Sequence, residues 1–278
     1  MPERAADEPT TESARLSPEA PAASRAFSLV DTHLHLEEVE DPDAAVADAV
    51  GAGVTRLITV GTDLATSRGA AERATRLEQV FAAAGHHPAN TADPDLAAFR
   101  ELFALERVVA VGEIGLDGSD SPEYAQMERQ LAWFGSLCDL ALEFGLPVSV
   151  HVRDAADLAY RALRARPGLT GVMHYFSLDG EWAERFLELG FHLSFAGLVT
   201  RSTRAELREV ARACPADRLL LETDSPFGQP AARKREPQNR PAFLVDTAAV
   251  VAEVRGISLE ELAEIEWRNA HRLFHRLP

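Results

Sequence analysis

Short β-branched runs and longer amphipathic stretches alternate along this chain from residue 27 onward, and few architectures accept that order. Strand-like runs fall at 27–34, 55–60, 79–84, 108–114, 148–152, 172–175, 192–195 and 219–222. Between them lie segments with helical periodicity, among them 42–51, 64–77, 121–144, 155–166 and 204–213. A strand followed by a helix and another strand makes a parallel crossover, so the repeat implies an α/β fold with a parallel sheet. Eight such units in roughly 250 residues match a TIM-like (β/α)8 barrel. A doubly wound open sheet is the alternative, yet the chain carries neither a glycine-rich dinucleotide fingerprint nor a P-loop. The stretch 258–277 reads as two further helical turns closing the bottom or wall of the barrel. With 278 residues, 46% of them hydrophobic, the chain can bury a large core. The expected organisation is a single barrel domain over 26–278, preceded by a tail over 1–25.

That tail is rich in Ala, Pro, Glu, Ser and Thr and has no apolar stretch of the kind a secretory signal needs. It reads as disordered. No run approaches the 18 apolar residues of a membrane span. Cys138 and Cys214 make no disulfide framework. A cytoplasmic protein is expected, with no membrane partner and no obligate protein partner evident. The net charge of -16 opposes long-range steering toward duplex DNA, but leaves room for a strand held locally by a few cations and metals.

Residues able to bind metals recur where the strands end. His33 and His35 lie two apart on the first strand, so their side chains share a face, and Asp31 on that face is placed to orient one of them. Glu113 ends the fourth strand, His151 the fifth and His174 the sixth; Asp224 follows the eighth. A lone histidine at a strand end is more often packed than ligating. Six candidates at the C-terminal ends of five strands would meet at one mouth, where barrels of this type carry their chemistry. Four imidazoles and two carboxylates match a pair of divalent cations, with Glu113 from a middle strand as the bridge. Nitrogen-rich ligation suits Zn2+, Mn2+ or Co2+, while Mg2+ would need water and phosphate oxygens as well. Such a pair activates water for in-line displacement, and Asp224 is expected to bind one cation and take the proton from the attacking water.

Taken together the motifs resemble those of TatD-type metal-dependent deoxyribonucleases of the amidohydrolase superfamily. They run from about residue 29 to 274: Asp-Thr-His-Leu-His at 31–35, Gly-His-His-Pro at 85–88, Gly-Glu-Ile-Gly-Leu-Asp at 112–117, Pro-Val-Ser-Val-His-Val-Arg-Asp at 147–154, Met-His-Tyr-Phe-Ser at 173–177, Glu-Thr-Asp-Ser-Pro at 222–226 and Asn-Ala-His-Arg-Leu-Phe at 269–274. The resemblance implies a TIM-like barrel and a nuclease using two divalent metal ions (Mg2+, Mn2+ or Zn2+). Such enzymes are commonly described as 3′–5′ exonucleases on single-stranded DNA or RNA. It also implies metal ligands at His33, His35, Glu113, His151, His174 and Asp224, with Glu113 and Asp224 catalytic. Three departures touch substrate handling: Gly118 where the family usually has Tyr, Leu178 where Gly is common, and Arg240 where Glu is usual.

Nucleic acid is the expected substrate, and several groups could hold it. Arg153, two residues past His151, should face the mouth and pair with a phosphate as a planar fork, unless Asp154 or Asp157 claims it. His87 could donate to the substrate. Arg201 with Arg204, and the run Arg233-Lys234-Arg235, could track a phosphate backbone, although most charge runs are only solvated. Phe176 and Phe227 could stack bases, though burial is the commoner fate of Phe. An amidohydrolase acting on a small ester, lactone or amide is the alternative enzyme, because the same metals polarise a carbonyl. A metal-dependent binding protein without turnover is a third reading.

Overall fold

Parallel strands covered on both faces are apolar along their whole length, and here the strands are buried almost throughout. The computed structural model describes residues 27–119 and 124–278. The tail expected over 1–25 lies outside the described residues, as do 120–123. Eight strands follow in order: β1 (Leu29–Leu34), β2 (Val54–Val60), β3 (Val80–Ala84), β4 (Val108–Asp117), β5 (Val148–Arg153), β6 (Gly171–Met173), β7 (His192–Phe195) and β8 (Leu219–Leu221). Each pairs in parallel with the next, giving one sheet in sequence order. The ring is drawn shut beyond the end of β8, where His35 N donates to Ser225 O at 2.8 Å and Asp224 N to His33 O at 2.9 Å. The result is the nearly closed (β/α)8 barrel of a single domain, not the doubly wound alternative.

The helices α1 (Pro42–Ala52), α2 (Leu64–Arg76), α3 (Leu96–Phe103), α4 (Met127–Phe144), α5 (Ala156–Arg164), α6 (Gly180–Glu188), α7 (Ala205–Ala213) and α8 (Leu244–Arg255) connect or follow the strands, and α9 (Leu259–Leu273) ends the fold. Local chemistry starts them: Asp41 caps α1 ahead of Pro42, and Asp63 forms a reciprocal capping box with Thr66 on α2. None of the described helices is long and apolar enough to cross a membrane.

Strand alternation divides the core in two. Along β3, Val80, Ala82 and Ala84 face the helices, while Phe81 and Ala83 face the barrel interior. The interior set packs on Ala270, Leu273, Phe274 and Leu277. Glu266 accepts from Val30 N at 3.0 Å, and Asn269 Nδ2 donates to Leu219 O at 2.9 Å. Thus α9 plugs the end where the strands begin, and it runs for 15 residues instead of the two turns expected. The opposite mouth stays open.

Candidate metal centre

Glu113 stands at the middle of the open mouth, buried on β4, and its two carboxylate oxygens face two different sets of side chains. Oε2 lies 3.6 Å from His33 Nε2 and 3.7 Å from His35 Nε2. Asp224 Oδ1 approaches the same two nitrogens, at 4.0 and 3.4 Å. Oε1 lies 3.1 Å from His151 Nδ1, 2.9 Å from His174 Nε2 and 3.4 Å from His87 Nε2. The backbone is bent hard to achieve this. Asp224 has φ 57° and Tyr175, beside His174, has φ 43°, both in the left-handed region that non-glycine residues rarely adopt. At Gly115 (φ 154°) a side chain would collide with the His151 carbonyl, so only glycine lets β4 and β5 approach this closely.

The far side of each imidazole decides what its near side offers. His35 Nδ1 faces the Val60 carbonyl at 3.2 Å, His151 Nε2 faces Asp117 Oδ2 at 3.0 Å, and His174 Nδ1 faces Glu222 Oε1 at 3.3 Å. All three partners only accept, so each outer nitrogen carries its hydrogen and the inner nitrogen is left to bind. His33 Nδ1 meets Ser149 Oγ at 3.0 Å, and its buried Nε2 has no hydrogen-bond partner among the described residues. His87 is reversed. Its Nδ1 accepts from Ala89 N at 3.1 Å, so its neutral ring turns an N–H toward Glu113.

Four imidazole lone pairs and two carboxylates pointed at one another are unfavourable without positive charge between them. The titration behaviour expresses this. Burial would raise Glu113, but the surrounding imidazoles, led by His87 and His174, hold it well below the usual carboxylate range. Burial opposes a charge on His35 and His174, yet Asp224 and Glu113 push the first up to about 9, and Glu113 raises the second well above its ordinary value. His33 falls to about 3, from burial and the neighbouring His174. Protons thus occupy the ground that divalent cations would take, and the donor set fits such cations. Distance alone gives three groups: His33, His35 and Asp224 as one, His87, Glu113 and His151 as a second, and His33, His174 and Glu222 as a third. The ring polarity makes His87 a donor in the second group, with His174 taking its place.

A family model described as TatD related DNase matches residues 30–275. The chain belongs to the TatD family. The uncharacterized metal-dependent hydrolase YcfH of Escherichia coli strain K12 is 38% identical over 256 residues, spanning 89% of this chain and 96% of its own. The 3′-5′ ssDNA/RNA exonuclease TatD of Erwinia billingiae is 36% identical over 249 residues, spanning 86% and 94%. The crystal structure of YJJV, a TatD homolog from Escherichia coli K12, superposes with a TM-score of 0.85 at 30% identity, covering 91% of this chain and all of that one.

Other positions singled out in the sequence divide sharply. Asp31 orients neither imidazole. Its carboxylate instead accepts from Thr223 N and Thr223 Oγ1, tying β1 to the segment that carries Asp224. Arg153 projects from the mouth, its Nε 3.9 Å from Asp154, while Asp157 pairs with Arg161. His87, in the loop after β3, is almost enclosed against Glu113 and also meets the backbone at Ala89 N. Arg233 is committed to Asp246 at 2.7 Å and so is not free to follow a backbone, whereas Arg201 and Arg204 remain exposed near Tyr175. Phe176 is buried; Phe227 is not. Arg240, the reversed charge, sits 3.9 Å from Asp48 on α1. Asp117, Glu222, Asn239 and Tyr124 were not anticipated. Asp117 and Glu222 hold imidazoles, and Asn239 donates to Thr223 O and Phe227 O. Tyr124, six residues past Gly118, brings a phenol to the mouth beside His87, with ring centres 6.1 Å apart. Tyr124, His87, Arg153 and Phe227 join Glu113 and Asp224 in lining a cavity of about 640 Å³.

Proposed function

We propose that this TatD-family protein is a metal-dependent hydrolase that cleaves phosphodiester bonds in single-stranded nucleic acid, releasing nucleotides from a 3′ end. The observation that carries this is the arrangement of four inward imidazole nitrogens about the two oxygens of Glu113, with Asp224 at its open side. In this reading His33, His35 and Asp224 would hold one divalent cation and His151 and His174 the second, with Glu113 shared between them. Such cations bring the pKa of a water toward neutrality and offset charge developing on a phosphoryl oxygen. Mn2+ or Zn2+ suits the nitrogen donors, and Mg2+ would draw on water and phosphate oxygens.

The chain's own groups do the rest. Asp224 is the more open of the two carboxylates and borders the cavity, where it accepts the proton of the attacking water. The His87 Nε2–H donates to an oxygen of the phosphodiester. Arg153, with no carboxylate among the described residues closer than 3.9 Å, offers its planar fork to a phosphate. The name of the Erwinia relative supports this substrate class. The test is release of nucleotides from labelled single-stranded DNA and RNA with Mg2+, Mn2+ or Zn2+, run beside a panel of esters, lactones and amides. A ladder of strands shortened from the 3′ end is expected. Turnover on the panel with intact strands would replace the nuclease reading by the carbonyl one.

A further inference from the structure

Among the described residues Phe227 is the one aromatic left as an exposed large hydrophobic, at 50% exposure, and it stands at the lip of the cavity three residues past Asp224. An apolar ring held in water is costly unless something covers it. Its backbone is fixed from both sides: Phe227 N donates to Asp224 O at 2.8 Å, and Asn239 Nδ2 donates to Phe227 O at 2.6 Å. The next residue, Gly228, has φ 67° and lies against the Tyr175 ring, which permits no side chain there. The ring is therefore presented by a rigid turn and not by a loose loop. Its edge packs on His35, with centres 6.0 Å apart and planes at 68°, which leaves surface beyond that contact for a ligand.

The surroundings select the ligand. Most of the residues lining the cavity carry a polar or ionisable group, and Ala89, Val152 and Phe227 are the apolar ones among them. An exposed phenyl ring at the lip of a carboxylate–imidazole centre, with Tyr124, Tyr175 and Arg153 on the same wall, suits a planar base joined to a phosphodiester. Taking the phosphodiester reading as its basis, we infer that Phe227 is the base platform of the site. It stacks on the nucleobase next to the bond being cleaved, and so selects substrates carrying an unpaired base there. A base inside a duplex is stacked on both faces by its neighbours and cannot lie on the ring.

A double-mutant cycle tests this. Wild type and Phe227→Ala are compared on three dinucleotides: one with both bases, one abasic on the 5′ side and one abasic on the 3′ side. Phe227→Ala should lower kcat/KM about tenfold on the intact dinucleotide, mainly through KM, and leave one of the abasic substrates unchanged. Phe227→Trp should restore the loss. Equal losses on all three substrates, or no loss on any, would overturn the inference. The same cycle is read in binding, by fluorescence anisotropy of a labelled six-nucleotide strand with and without its bases. Wild type should bind the base-bearing strand about tenfold more tightly than Phe227→Ala does, and the abasic strand equally. Base-dependent binding without strand cleavage under any metal would keep Phe227 as the platform and overturn the nuclease reading instead.

Discussion

Which nitrogen of each ring carries the hydrogen sets the chemistry of this mouth. Asp117 and Glu222 are carboxylates that keep His151 and His174 turned inward, and outer partners of this kind govern both ligand orientation and basicity. Asp117→Asn removes the charge behind His151 while keeping an acceptor. It should weaken divalent-metal binding about 10- to 100-fold by calorimetry, with little change in the far-ultraviolet circular dichroism. Unaltered affinity would mean that His151 needs no such support. Asp224 is different in kind, because it faces both His35 and the cavity. Asp224→Asn should reduce turnover by roughly 10²- to 10⁴-fold, the usual worth of a positioned proton acceptor, in a protein that still melts cooperatively. Wild-type turnover in that variant would remove Asp224 from the reaction.

At the scale of elements, the strands were legible and their limits were not always. Runs such as Val80–Ala84 announce themselves because a strand covered on both faces admits few polar residues. β4 extends three residues past its expected end at 114, since Gly115 and Asp117 interrupt an apolar run without interrupting the ladder. β6 stops at Met173, because Tyr175 takes a left-handed conformation that no ladder accommodates. The six strand-end side chains could be read from residue type and position. Asp117, Glu222 and Asn239 could not, since a carboxylate or amide looks the same in sequence whether it meets an imidazole, a backbone group or water. In α9, the buried Glu266 breaks the apolar pattern and hides the helix's true length. Burial holds the Glu266 carboxyl well above the usual range, with the nearby Asp31 adding to the effect. A raised carboxyl favours the fold below its unfolded pKa, and that advantage is lost as pH rises toward the folded value. Glu266→Gln keeps an acceptor for Val30 N and removes the titration. Its melting temperature should therefore gain on wild type steadily as pH rises from 4.5 toward 8. A difference that does not vary with pH would show that Glu266 never titrates in this window.

The whole molecule joins at the place where its chemistry gathers. His33 and His35 come from the first strand and Asp224 from just beyond the last, and the barrel is drawn shut there by Asp224 N on His33 O and His35 N on Ser225 O. In the proposed reading, cations held by these side chains would cross-link the two ends of the ring, so that metal binding and closure of the fold would be one equilibrium. A cation that binds only the folded chain adds about 2.7 kcal/mol at a hundredfold excess over its Kd, which is several degrees in Tm for a chain of this size. The pH dependence follows from the protons now standing in its place. His35 is raised to about 9 from an ordinary 6.5, and His174 and His151 are raised with it. In the metal-free protein these shifts favour the fold below pH 6.5, and that contribution fades as pH climbs through 9. Binding a cation expels the same protons, so affinity grows over the same interval. The first effect lowers both melting temperatures alike, and the second alone sets the gap between metal-loaded and metal-free Tm. Melting with Mn2+ and with EDTA at pH 6, 7.5 and 8.5 should show that gap widening at each step. A constant gap would mean that His35 and its neighbours hold no proton for the metal to displace, and that the cations bind elsewhere.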